Sequence, residues 1–245
     1  MNPEPTGGIA RARGADPAAT AAATTATVSV DDLVAAARAL VTPGHRKILG
    51  ITGAPGSGKS TLGEAIVSAL GGQAVLVGLD GFHLATAELD RLGRKARKGA
   101  ADTFDAAGYV HLLRRLRARR DDTVYTSFFD RSLEESIACA VPVPRDVPLV
   151  VTEGNYLLVP DDPWGPVRGL LDECWFLEPG EDVRFDRLIT RHMSYGRSAE
   201  EAYERSHGSD QRNARLIEST RPHADRVLRV RAVEHLSPPL EENTA

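Results

Sequence analysis

At 245 residues, the chain can form one large domain or two small ones, with ample length for a core. Its 42 % hydrophobic and 26 % charged residues are the balance of an ordinary globular protein. A formal charge of -4, no apolar run of membrane-span length and no apolar leader argue against nucleic-acid, membrane and secreted roles. Cys139 and Cys174 lie far apart in no C-x-x-C or zinc spacing, so both read as reduced, buried thiols of a cytoplasmic protein.

Residues 1–27, rich in Ala, Thr, Gly and Pro, read as a disordered tail. A helix follows, with Asp31 as its expected N-cap. Leu33, Val34, Ala37, Leu40 and Val41 form its apolar face, and Pro43-Gly44 stops it. Ile48-Leu49-Gly50-Ile51 is the first buried strand.

Gly53-Ala54-Pro55-Gly56-Ser57-Gly58-Lys59-Ser60, followed by Thr61, fits the pattern G-x-x-x-x-G-K-S/T between that strand and a helix over Leu62–Leu70. Glycines let the backbone approach an anion, and successive N–H groups at a helix start cradle phosphate. Lys59 is placed to bridge β- and γ-phosphates, and the Ser60 hydroxyl to meet Mg²⁺. Lysine occurs only at 47, 59, 95 and 98, so Lys59 is not drawn from a lysine-rich background. Nucleoside triphosphate binding is the expectation.

Ala74–Leu79 is a second strand, ending in Asp80-Gly81-Phe82-His83. A carboxylate at the carboxyl end of such a strand points into the ligand crevice, so Asp80 is the candidate general base. His83 fits a ligand contact or a packed ring equally. The basic run from Arg91 to Lys98 is a solvated loop or an anion contact. Asp105 can cap the next helix, whose apolar face is Tyr109, Leu112, Leu113 and Leu116; its arginines read as solvated. Val124–Phe129 is a short strand, and Pro142, Pro144 and Pro148 mark a connection. Val147–Thr152 is a third central strand, and Glu153 at its end has the form of a Walker B carboxylate. Cys174–Leu177 is a fourth strand, followed by a helix carrying Arg184, Arg187 and Arg191. Ser198-x-x-Glu201 is a capping box, and Arg226–Val230 a last strand near an edge. The domain is expected over 28–232, with a lid at 182–213 and a disordered tail at 233–245.

The segments G-A-P-G-S-G-K-S-T, V-G-L-D-G-F-H, K-G-A-A-D-T-F-D, S-F-F-D-R, V-T-E-G-N-Y-L-L and R-L-I-T-R-H, in this order, resemble the phosphoribulokinase/uridine kinase family. That family includes bacterial pantothenate kinase and a branch described as nucleoside/nucleotide kinase-like or fructose-transport-system kinase, which the D-G-F-H, D-T-F-D and E-G-N-Y-L-L segments match best. The resemblance implies a five-stranded parallel sheet with helices on both faces and an Arg-bearing helical lid. It implies ATP and Mg²⁺, with Asp80 as base, Glu153 near the metal beside Ser60, and Arg187 and Arg191 clamping the transferring phosphoryl group. Asp105, Tyr125 and Arg131 fall where family members place substrate contacts; His83 and Lys98, read from the residues themselves, are further substrate-contact candidates. A uridine kinase S-H-S-R-type segment after Asp130 and the pantothenate kinase signatures are both absent. The acceptor therefore stays open among nucleoside, sugar and pantothenate-like acid, and a homodimer stays open as well.

The competing class is a nucleotide-binding regulator or assembly ATPase without a small acceptor. Asp80 and the arginine lid favour the kinase, since a simple switch requires neither. The absence of an N-K-x-D segment after Glu153 disfavours a GTPase.

Overall fold

The structure, a computed structural model, describes residues 24–231. Six strands, β1 (Ala26–Val28), β2 (Lys47–Thr52), β3 (Ala74–Gly78), β6 (Leu149–Glu153), β7 (Glu173–Leu177) and β8 (Arg226–Val230), form one sheet in the order β1-β8-β7-β2-β6-β3. Every neighbouring pair is parallel. The sheet thus has six strands where five are expected. The additional strand is β1, which straddles the end of the expected 1–27 tail; residues 1–23 and the expected 233–245 tail lie outside the described residues. Three alanine- and threonine-rich residues carry no apolar run, yet they pair Ala26, Thr27 and Val28 with Leu228, Arg229 and Val230.

Alternation along the strands assigns two cores. Ile48, Val77 and Val150 face α4 (Ala106–Ala118) through Tyr109, Val110, Leu113 and Leu116. Leu49, Ile51, Leu149 and Val151 face α1 (Val30–Leu40) and α2 (Lys59–Leu70) through Leu33, Ala37, Leu62 and Ile66. Both faces of the sheet are covered, which is what parallel strands with near-continuous apolar runs require. Because β6 lies between β2 and β3, the chain leaves β2 to one side for β3 and later returns to its other side for β7. That reversal opens a crevice at the carboxyl ends of the strands.

Two expectations are corrected locally. The N-cap of α1 is Ser29, not Asp31: the Ser29 hydroxyl accepts from the Asp32 amide and Asp32 reciprocates, completing a capping box that leaves Asp31 in the first turn. The proline-marked segment is not a plain connection either. Glu135–Pro144 is β5, antiparallel to β4 (Thr123–Asp130), with Pro142 opposite Tyr125 and Pro144 opposite Thr123. In a two-stranded ribbon each strand has one free edge, so prolines that cannot donate are tolerated. Cys139 sits on β5 and is exposed, against expectation, while Cys174 is buried; both are free thiols. The remaining helices are α3 (Thr86–Arg91) and a cluster of α5 (Glu181–Ser194), α6 (Ala199–Arg205) and α7 (Gln211–Ser219) over the cleft. The capping box at Ser198 and Glu201 opens α6 as the sequence predicts. Among the described residues no helix is long and apolar enough to cross a membrane.

Candidate active site

The loop between β2 and α2 is shaped by backbone conformations that side chains resist. Gly56 and Gly58 take φ of 82° and 93°. A Cβ on Gly53 would lie 2.5 Å from the Leu177 carbonyl oxygen, so this turn has no room for one. Gly58 caps α2 with no side-chain hydrogen bond, which leaves the first amides of the helix directed at an incoming anion. Lys59 is buried, and its ammonium donates to the carbonyls of Gly53 at 2.9 Å and Ala54 at 3.1 Å. Burial lowers the Lys59 pKa to about 8, with Glu153 and Asp80 opposing the fall. Ala54 and Ser57 are buried within the loop, Pro55 and Ser60 line the cleft, and Thr61 is exposed on the first turn of α2.

The two acidic candidates converge because their strands are neighbours. Gly78 of β3 pairs with Glu153 of β6, and Asp80 follows two residues later in a 3₁₀ turn. Glu153 is 7 % exposed and accepts from the Ser60 hydroxyl at 3.2 Å. Burial, reinforced by Asp80, pushes its pKa up to about 7. A hydroxyl and a buried carboxylate whose charge is held at a cost suit a hard cation such as Mg²⁺, which binds few protein oxygens and keeps several waters or phosphates. Asp80 accepts from Arg131 Nη2 at 2.9 Å. His83 Nδ1 lies 2.8 Å from the Asp80 carbonyl oxygen, and burial lowers its pKa.

Around His83 the chain builds an aromatic wall. The His83 ring sits 4.0 Å from Phe104 and 4.7 Å from Phe129, with Lys98 5.3 Å over the Phe129 ring. Phe129 reaches this wall through a bulge. Strict alternation along β4 would put residues 125 and 129 on one face, but the register shifts between Thr126 and Phe128. Phe129 is therefore buried against the cleft, whereas Tyr125 is 57 % exposed.

The opposite wall comes from α5, α6 and α7. Arg191 lines the cleft half-buried, and burial, then repulsion from Arg131, lowers its pKa. Arg187, four residues earlier, is exposed and reaches the Ser57 carbonyl of the phosphate loop at 3.4 Å. His192 pairs with Asp210 at 2.8 Å, tying α5 to the turn before α7. Arg197, Arg205 and Asn213 complete this end.

One cleft thus gathers Lys59, Ser60, Asp80, His83, Lys98, Arg131, Glu153 and Arg191. It does not gather Asp105 or Tyr125. The Asp105 carboxylate accepts from the Gly108 amide at 2.8 Å as the N-cap of α4, so its local role uses the group a ligand would need. Phe104, Phe129, Arg205, Asp210 and Asn213 line the cleft without a sequence signal of their own. For Phe104 and Phe129 the usable cue is their place beside Asp105 and Asp130 in the D-T-F-D and S-F-F-D-R segments.

The model of the phosphoribulokinase/uridine kinase family matches residues 48–237. A Schizosaccharomyces pombe protein, provisionally named uridine kinase C227.14, is 33 % identical over 211 residues, covering 82 % of this chain and 90 % of that one. A solved structure from Silicibacter sp. TM1040, provisionally described as a fructose transport system kinase, superposes with a TM-score of 0.74 at 34 % identity, covering 82 % of this chain and 98 % of that one. Phosphoribulokinase from Rhodobacter spheroides, at 17 % identity and a TM-score of 0.54 over 77 % of this chain and 72 % of its own, shares the fold.

Proposed function

Because the chain belongs to the phosphoribulokinase/uridine kinase family and is an ATP-dependent small-molecule kinase, we propose that Asp80 is the base that receives the proton of the attacking hydroxyl. The observation that carries this reading is the convergence of Asp80 with the phosphate-loop lysine in one cleft: the Asp80 charge is felt at Lys59, alongside that of Glu153. An acceptor hydroxyl beside Asp80 would lie across the crevice from the γ-phosphate, the arrangement in-line transfer needs.

Each side chain then has a task. Arg131 holds one Asp80 oxygen at 2.9 Å, which fixes the carboxylate and leaves its other oxygen for the substrate proton. Lys59 exchanges its loop carbonyls for phosphate oxygens as the triphosphate enters. Ser60 and Glu153 would hold Mg²⁺, which supplies neutralisation of the phosphate charge when bound. Arg191, half-buried in the cleft wall, stabilises negative charge on the transferring group. The acceptor belongs to the class of nucleosides, sugars and pantothenate-like acids that offer a hydroxyl.

Asp80→Asn keeps the shape and removes the proton acceptor. Acceptor-dependent ATP turnover is expected to fall by about 10²–10⁴ while MgATP affinity, measured by calorimetry, stays unchanged. Full activity would reduce Asp80 to a turn residue. Lost MgATP binding would move Asp80 to the metal and make Glu153 the next candidate base.

A further inference from the structure

The cleft also holds two cations, Arg205 and Lys98, that no carboxylate pairs directly among the described residues. Arg205, at the end of α6, is half-buried, and its guanidinium makes no hydrogen bond or ion pair among the described residues. Its charged neighbours are Arg197, which repels it, and Asp210 and Glu134, which attract it. Asp210 is already committed to His192 at 2.8 Å. Lys98 donates only to neutral oxygens, the Thr86 hydroxyl at 3.1 Å and the Glu134 carbonyl. Asn213 of α7 donates to the Gly99 carbonyl at 3.2 Å, fastening the Lys98 loop to the helices that carry Arg205. Withdrawing unpaired cations from water is costly, and a neutral ligand would leave that cost in place.

A triphosphate does not account for these groups. The cations coupled to the catalytic carboxylates are Lys59, Arg131 and Arg191. Arg205, in the wall of the same cleft, shares only Asp210 with Arg191 among its charged neighbours and otherwise faces Arg197 and Glu134, not Asp80 or Glu153. Resting on the kinase reading of the same cleft, we propose that the acceptor is an anionic hydroxy compound. Its carboxylate or phosphate is held by Arg205 and Lys98, and its hydroxyl is presented to Asp80. A neutral nucleoside or free sugar is thereby disfavoured as the acceptor.

The test uses the full chain saturated with Mg²⁺ and a non-hydrolysable ATP analogue. Calorimetry compares a short hydroxy acid such as glycerate, a pentose phosphate, inorganic phosphate, and the neutral compounds uridine and ribose. Parallel reactions with MgATP are read by mass spectrometry. The anionic compounds should bind and the neutral ones should not; the hydroxy-acid and sugar-phosphate arms identify which anion is preferred. Arg205→Gln should weaken anion binding about tenfold or more, as expected for lost hydrogen bonds to a charged group, with nucleotide affinity unchanged and partial recovery in Arg205→Lys. Uridine or ribose binding as tightly as the anions would overturn the proposal and leave the kinase reading standing. Anion binding that is indifferent to Arg205→Gln and to Lys98→Gln, or absent altogether, would overturn it as well. Arg205-dependent anion binding with no phosphorylated product from any compound would support the anion site and count instead against the catalytic reading.

Discussion

The two ends of the cleft are made in different ways. The phosphate loop is one continuous segment between a buried strand and a helix, its shape set by glycine conformations and the first amides of the helix left uncapped by any side chain. The other end is assembled from side chains on the 98–104 loop, the β4–β5 hairpin and α5 to α7. A backbone cradle recognises what all nucleoside triphosphates share. A wall of side chains can be altered one residue at a time, so it is where members of one fold diverge in substrate. On the proposed reading, chemistry belongs to the first end and selectivity to the second.

The sharpest way to break this division is to remove charge from one helix at two points. Arg191 lines the cleft and Arg187 reaches the Ser57 carbonyl of the loop, one turn apart on α5. Arg191→Gln should lower the turnover number by about 10³ or more, the effect of losing an arginine that stabilises the transferring phosphoryl group. Arg187→Gln should cost less and act chiefly on the Michaelis constant for MgATP. Equal losses of rate in steady-state kinetics would mean that the helix moves to bring both arginines inward.

A smaller effect concerns pH. The folded-state pKa of Glu153 is raised to about 7, above its ordinary value of 4.5, so its protonated form is the one the fold favours. The resulting stability is complete below pH 4.5 and is lost as pH rises through about 7. Glu153→Gln mimics the protonated group, and in denaturant titrations its stability should fall less than that of the parent between pH 5 and 7. Parallel curves would show that Glu153 is ionised throughout, its charge already compensated by Lys59.

The smallest effects should come from the two candidates outside the cleft. Asp105→Ala removes a helix cap and should lower stability by about 1 kcal/mol with the rate constant unchanged. Tyr125→Ala, at an exposed position, should shift stability by no more than about 0.5 kcal/mol and leave kinetics alone. A raised Michaelis constant for the acceptor in either variant would extend the acceptor end beyond its present walls.

How much of this was legible in the sequence follows the same division. The phosphate loop could be read because its chemistry demands consecutive residues of particular types. Asp80 and Glu153 could be read because a parallel sheet delivers the ends of its strands to one edge. Arg205, Asp210 and Asn213 could not, because they are ordinary helix-surface residues until α6 and α7 fold over the cleft. Tyr125 and Phe129 were separated by a bulge, which period-two reading of β4 does not anticipate. Asp105 carried two readings, a cap and a ligand contact, and the hydrogen bond to Gly108 fulfils the local one. β5 was hidden by its prolines and β1 by its plain composition.

β1 has a consequence for handling the protein. It pairs along β8, whose Val227 and Leu228 are buried, and Thr25 beside it is bonded to Glu178 and Arg221. A version trimmed at residue 28, where composition suggests the domain begins, would strip most of β1 and leave β8 with a bare row of amides and carbonyls. Such edges recruit strands from other molecules. The three unremarkable residues of β1 therefore act as a selvedge that keeps the sheet from fraying into its neighbours.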